Sequence, residues 1–188
     1  MTRNLILFLM VVFTGVASYY VVHLGHYPVA IVNGTMITAK ALNEEYAVAF
    51  QYYARTLSGQ KEINPNSRDV QKELRRATLN DLVQKALISA ELKTRVGDDL
   101  DSVVESKIST ETKDSQALAE AAKILYGLDF VHFKQMVLVP QAEKELLQGR
   151  LFLENKKFAD WLGEAEKSAK VTILTPEFSW ATNKVVAK

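Results

Sequence analysis

A mainly α-helical chain is predicted, with an N-terminal transmembrane helix and a helical domain closed by a small two- or three-stranded sheet that pairs its two ends. Three features predict it. They are an uncharged apolar run near the N-terminus, helical periodicity through the middle, and short β-branched runs at the start and end of the remainder.

Residues 5–24, "LILFLMVVFTGVASYYVVHL", carry no ionised side chain. A helix of that length spans about 30 Å of hydrocarbon. Arg3 precedes the run, so the positive-inside bias places the N-terminus in the cytoplasm and the rest outside, in the periplasm or at the cell surface. A cleavable signal peptide, cut near Ser18 after Gly15 and Ala17, is the alternative. The apolar run continues through Tyr19, Tyr20, Val21 and Val22, which favours an uncleaved anchor. The expected division is an anchor over residues 1–24 and one domain over residues 25–188.

The first strand is expected in "PVAIVNGTMIT", where Ile31 and Val32 precede Asn33-Gly34, a dipeptide suited to a two-residue turn at positive φ. Thr38 then caps a helix over residues 39–57, with Leu42, Tyr46, Ala49, Phe50 and Tyr53 on one stripe. A polar loop, "SGQKEINPNS", separates it from the strongest helix, "RDVQKELRRATLNDLVQKALISAELKTRV". Ser67 is the expected N-cap there and Gly97 the C-cap; Val70, Leu74, Ala77, Leu82, Ala86, Leu87 and Ala90 trace its stripe.

Helices are also expected over residues 98–109 and 115–127, and over most of residues 128–170. Pro140 lacks a backbone N–H, which predicts a bend or break at Val139–Pro140. The period changes at "KVTILTPEF", where Val171, Thr172 and Ile173 make a short strand ending before Pro176. The strand over residues 30–32 is its natural partner, so the two ends of the domain should pair.

Composition narrows the function. Charged residues make up 24% and hydrophobic ones 48%, with eight Gly and four Pro, the balance of a folded helical chain and not of a disordered one. The net charge is +1 with no basic block, so nucleic acid is not expected as a partner. The absence of cysteine excludes disulfides, thiolate metal sites and a cysteine nucleophile.

No phosphate-binding glycine loop, nucleophile elbow or HExxH motif occurs, so no catalytic site, nucleotide, metal or cofactor is expected. His23 and His26 lie three apart but have no nearby third ligand, and His132 stands alone on a helix. Glu44-Glu45 and Asp98-Asp99 fall in early helical turns, where the helix dipole accounts for acids. Aromatic and apolar surplus remains: Tyr46, Phe50, Tyr53, Phe130, Phe133, Met136 and Trp161 are candidates for peptide contact as a set, while core packing accounts for any one of them.

"VAIVNGTMIT", an amphipathic helix, and "VQKELRRATLNDLVQKALISAELKTRVG" together resemble the opening of the N-terminal domain of SurA-like and PrsA-like foldases, the trigger factor/SurA type of peptide-binding helical domain. The second helix supplies Leu79, Leu82, Val83, Leu87, Ile88 and Ala90 to that pattern. "YGLDFVHFKQMVLVPQAEKELLQ" and "FADWLGEAEKSAKVTILTPEF" are similar to the family's later helix and its closing helix and strand. The resemblance covers nearly all of the chain after about Tyr27. It implies an ATP-independent chaperone module that binds unfolded or nascent exported polypeptides through a broad apolar cleft. Such foldases usually carry a parvulin isomerase domain of about a hundred residues, for which these 188 residues leave no room, so isomerase activity is not carried over. An envelope adaptor that docks one folded partner is the alternative, and an isomerase with an unrecognised site is a third reading.

Overall fold

The computed structural model describes residues 21–56, 64–112 and 115–188, together with Met10 and Tyr19. Among the described residues no helix is long and apolar enough to cross a membrane. Most of the expected anchor, residues 5–24, lies outside them, as does most of the polar loop after the first long helix.

The chain enters through a hairpin of β1 (Pro28–Val32) and β2 (Thr35–Thr38). Asn33 and Gly34 have φ of 49° and 88°, so the Asn-Gly pair makes the tight turn that the sequence predicts. Helix α1 (Ala39–Thr56) follows without a break, and its first amides are all used. The Ala41 N–H donates to the Thr38 hydroxyl at 3.1 Å, while Ala39 and Lys40 donate to the carbonyls of Tyr27 and Gly25 at 3.0 and 2.8 Å. Gly25, at φ 69°, permits this approach, because a Cβ there would lie 3.0 Å from the Lys40 nitrogen. The segment arriving from the N-terminus is thereby bonded to α1. Thr38→Ala removes the side-chain cap and is expected to cost about 1 kcal/mol, measured as a shift in the urea midpoint.

Helix α2 (Arg68–Val96) is the backbone of the domain. Ser67 caps it by accepting from Val70 N–H at 3.4 Å, and Gly97 at φ 72° ends it. A 3₁₀ turn (Gly97–Asp99) leads to α3 (Leu100–Glu111), and α4 (Ser115–Leu125) comes next. The single apolar stripe expected on α2 is not what the fold buries. Thr78, Leu79, Val83, Leu87, Ile88 and Leu92 are buried, whereas Ala77 and Ala90 are exposed. The reason is that α2 serves two cores on different sides. Its first half joins β1, β2, α1 and the C-terminal strands around Leu42, Leu79, Val83 and Phe178; its second half joins later helices around Leu92, Val104, Leu147 and Leu151.

The later helices begin with one turn, α5 (Phe130–Phe133), capped by Asp129, whose carboxylate accepts from the His132 N–H at 2.9 Å. A π-helical segment (Lys134–Leu138) runs directly into α6 (Val139–Leu153). The disturbance expected at Val139–Pro140 takes the form of this π segment, and Pro140 does not divide the helix. In an α-helix the Pro140 ring would strike the carbonyl four residues earlier; the wider π turn, with Val139 N–H on the Lys134 carbonyl, relieves that clash and the helix continues. The chain turns instead after Leu153. Asn155 takes φ 57° and Lys156 N–H returns to the Leu151 carbonyl at 2.8 Å, a left-handed helix cap that lets α7 (Phe158–Ser168) fold back.

Strand β3 (Val171–Ile173) pairs antiparallel with β1, with Ala30 opposite Ile173 and Val32 opposite Val171, so the two ends of the domain do pair. The sheet order is β2-β1-β3. A second sheet, β4 (Phe178–Ala181) with β5 (Lys184–Ala187), has no counterpart in the sequence reading. It packs on α2 through Phe178 and Val185, both fully buried.

Candidate functional site

Where the two cores meet along α2, an open groove of about 560 Å³ separates α1 and α2 from the π segment, α6 and α7. Val48 and Ala49 face it from α1 and Ile88 from α2. Met136 and Val137 face it from the π segment, Pro140 from α6, and Phe158 and Leu162 from α7, with Tyr126 beside them. The π turn matters to the groove because it changes the rotation of the helix, placing consecutive residues Met136 and Val137 both on the lining. Behind them Phe133, 6% exposed, packs against Tyr126 at 5.3 Å, and Tyr126 stacks on Tyr52 at 5.0 Å. Burial and the neighbouring Tyr52 push the Tyr126 phenol above its ordinary pKa, so it stays neutral.

The charged part of the groove lies on α1 and α2. The Lys85 ammonium donates to Glu45 at 2.9 Å and lies 3.1 Å from Asp81. Burial works against the charged ammonium, but Asp81 and Glu45 together outweigh it and hold the Lys85 pKa above its ordinary value. The dipole reading of Glu44-Glu45 therefore needs correction at Glu45, which bridges two helices; Glu44 makes an i, i+4 pair with Lys40 at 3.8 Å. On α6, Lys144 lies over the Phe158 ring at 5.7 Å and Glu145 is held by Lys107 at 2.8 Å.

The seven residues singled out from sequence are spread over several surfaces. Met136 lines the groove and Phe133 supports it from within the fold. Tyr46 lines a separate cleft with Arg68, Lys72 and Glu177, where the Arg75 guanidinium lies 5.8 Å from its ring; Phe50 packs on Tyr46 with ring centroids 6.0 Å apart and lines neither cleft. Trp161 packs on Phe158 at 5.7 Å and faces a third cleft beside Asn33 and Leu87. Tyr53 and Phe130 are half-buried and do not line the groove. Val48, Val137, Leu162, Asp81 and Lys85 carry no individual sequence signal, since only the packing of α1, α2, the π segment and α7 around the groove brings them together. The acid at position 45 and the proline at 140 were visible, but their roles depend on partners 40 residues away and on a π turn.

Among the described residues no group of three or more His, Cys, Asp or Glu is placed to hold a metal ion. His132 is exposed, with its Nδ1 2.8 Å from Asp129; the backbone N–H of His132 and then its ring hold the Asp129 carboxyl below its usual range. His23 stacks on Tyr19 at 5.4 Å. Glu143 is shifted the other way from Asp129: burial, opposed by the Ser89 hydrogen bond at 3.2 Å and assisted by Asp101, pushes it above the usual carboxylate range. A raised carboxyl contributes stability below its unfolded pKa and loses it as pH rises through the folded one. Glu143→Gln is therefore expected to be more stable than the parent at pH 7. The difference should shrink as pH falls through the raised range of the Glu143 carboxyl and be gone by about pH 4, read in urea titrations.

A family profile described as the SurA-like N-terminal domain matches residues 2–122, well over half of the chain. The protein belongs to that family, in which this domain is the non-catalytic, chaperone-like part. The match takes in β1, β2, α1, α2, α3 and nearly all of α4, so one side of the groove lies within it and the wall built by the π segment, α6 and α7 lies beyond it. Searches among curated proteins and among solved structures gave no match.

Proposed function

We propose that the protein is a membrane-anchored, extracytoplasmic holdase that retains unfolded or extended segments of exported proteins in the groove, without ATP. The groove carries this reading: it is open, largely apolar, and lined by side chains such as Met136 and Tyr126 that adapt to varied partners. Membership of the SurA-like family supports a chaperone role with polypeptide substrates. Residues 5–24 are the proposed single span, with the N-terminus cytoplasmic and the domain in the periplasm or at the cell surface. A tether raises the local concentration of the groove where clients emerge, so weak binding suffices. The full chain at stoichiometric concentration, without nucleotide, should suppress aggregation of two unrelated unfolded proteins; no effect on either sinks the reading.

The adaptor reading draws on a different surface. Phe152 and Leu153, at the turn between α6 and α7, are 79% and 81% exposed, an unusual pair for a surface. If that turn docks one folded partner, the double change to serine abolishes the interaction and leaves aggregation suppression intact.

A further inference from the structure

Resting on the reading of the groove as a polypeptide-holding site, we infer that it selects apolar segments carrying a lysine or arginine, whose cation pairs with Asp81. The charge count at the α1–α2 wall carries this. Two carboxylates, Glu45 and Asp81, share the single ammonium of Lys85, leaving one negative charge in surplus beside the apolar lining. The two acids are not equivalent. The Glu45 side chain is 19% exposed and held between helices, whereas that of Asp81 is 56% exposed and open to an incoming group. A cation arriving at Asp81 leaves Lys85 still paired with Glu45, so no buried charge is orphaned.

The other charges reinforce the polarity. Glu145 is occupied by Lys107 and accepts from Gln141 at 3.0 Å, so it offers little to a client. Lys144, over the Phe158 ring, discourages a basic side chain from the α6 side and leaves the α1–α2 wall as its place. An apolar segment seated in the groove displaces water there, which strengthens the pairing at Asp81 relative to an open surface.

The test is fluorescence anisotropy of the full chain with short labelled apolar peptides that differ only at one central residue, lysine, glutamine or glutamate. The lysine peptide is expected to bind about threefold to tenfold more tightly than the glutamate peptide, an advantage that added salt reduces. Asp81→Asn should level the series and Asp81→Lys should invert it, with the glutamine peptide bound as before. Equal affinities in the parent, or a lysine preference that survives in both variants, overturn the selectivity while leaving the groove as the holding site. Binding of none of the peptides overturns the groove reading and the selectivity with it.

Discussion

Phe178→Ala is expected to cost the fold about 3–5 kcal/mol, the range for emptying a buried aromatic site, against a total of about 5–15 kcal/mol for an ordinary domain. Phe178 is fully buried and sits in the core made by β1, α1 and the first half of α2. Its position depends on how the β4–β5 hairpin is held. Val185 lies opposite Trp180 at a position of the ladder where the backbone groups of β5 point away from β4. Helix α2 satisfies both of them: the Val185 N–H donates to Asn80 Oδ1 at 3.0 Å, and Arg76 donates to the Val185 carbonyl at 2.6 Å. Without the Phe178 ring the hairpin keeps these two bonds and the packing of Val185 and Trp180, but loses its largest buried side chain. Urea unfolding reads the loss, and hydrogen exchange at Val185 should quicken beyond the change at Leu92 in the other core. A loss below about 1 kcal/mol would mean that the hairpin does not pack on α2 as described.

That hairpin also shows where the sequence is hard to read. The β1–β2 turn was legible because Asn33-Gly34 states its geometry locally, and the β1–β3 pairing was legible because the run at Val171–Ile173 needs a strand partner and the run at Ala30–Val32 was the good candidate for it. At the second hairpin the turn residues are Thr182 and Asn183, at φ 51° and 60°. Asparagine tolerates that region but a β-branched threonine rarely adopts it, so the local signal pointed away from a tight turn. The capping of α1 and α2 by Thr38 and Ser67 was likewise local and legible.

The stripe on α2 was misread for the opposite reason. Periodicity reports one buried face, and a helix shared by two cores has two. The groove lies where those cores meet, so its lining is set by helix crossings and not by any one helix. Aromatic residues were a reasonable guide to apolar surface, yet Phe133 went inside and Tyr46 to another cleft. The smaller Val48, Val137 and Leu162 supply much of the lining.

Met136→Asp is expected to weaken retention of non-native polypeptide at least tenfold while the unfolding midpoint changes little. Met136 is half-buried on the π segment and faces the groove. A client side chain that covers it gains roughly 1.5–3 kcal/mol of apolar burial, and about 1.4 kcal/mol is a factor of ten in affinity. An aspartate at that place removes the contact and adds a carboxylate that a bound apolar segment would have to desolvate. In the unliganded protein the same carboxylate stays in water, so stability is largely spared. Phe133→Ala is the matched control: three residues earlier, buried against Tyr126, it should lose about 3–5 kcal/mol of stability through the cavity it leaves. Urea unfolding and aggregation suppression measured on both variants separate the wall of the groove from its support. Undiminished retention by a stable Met136→Asp chain would show that clients are held elsewhere, and the exposed turn at Phe152 and Leu153 would be the next surface to change.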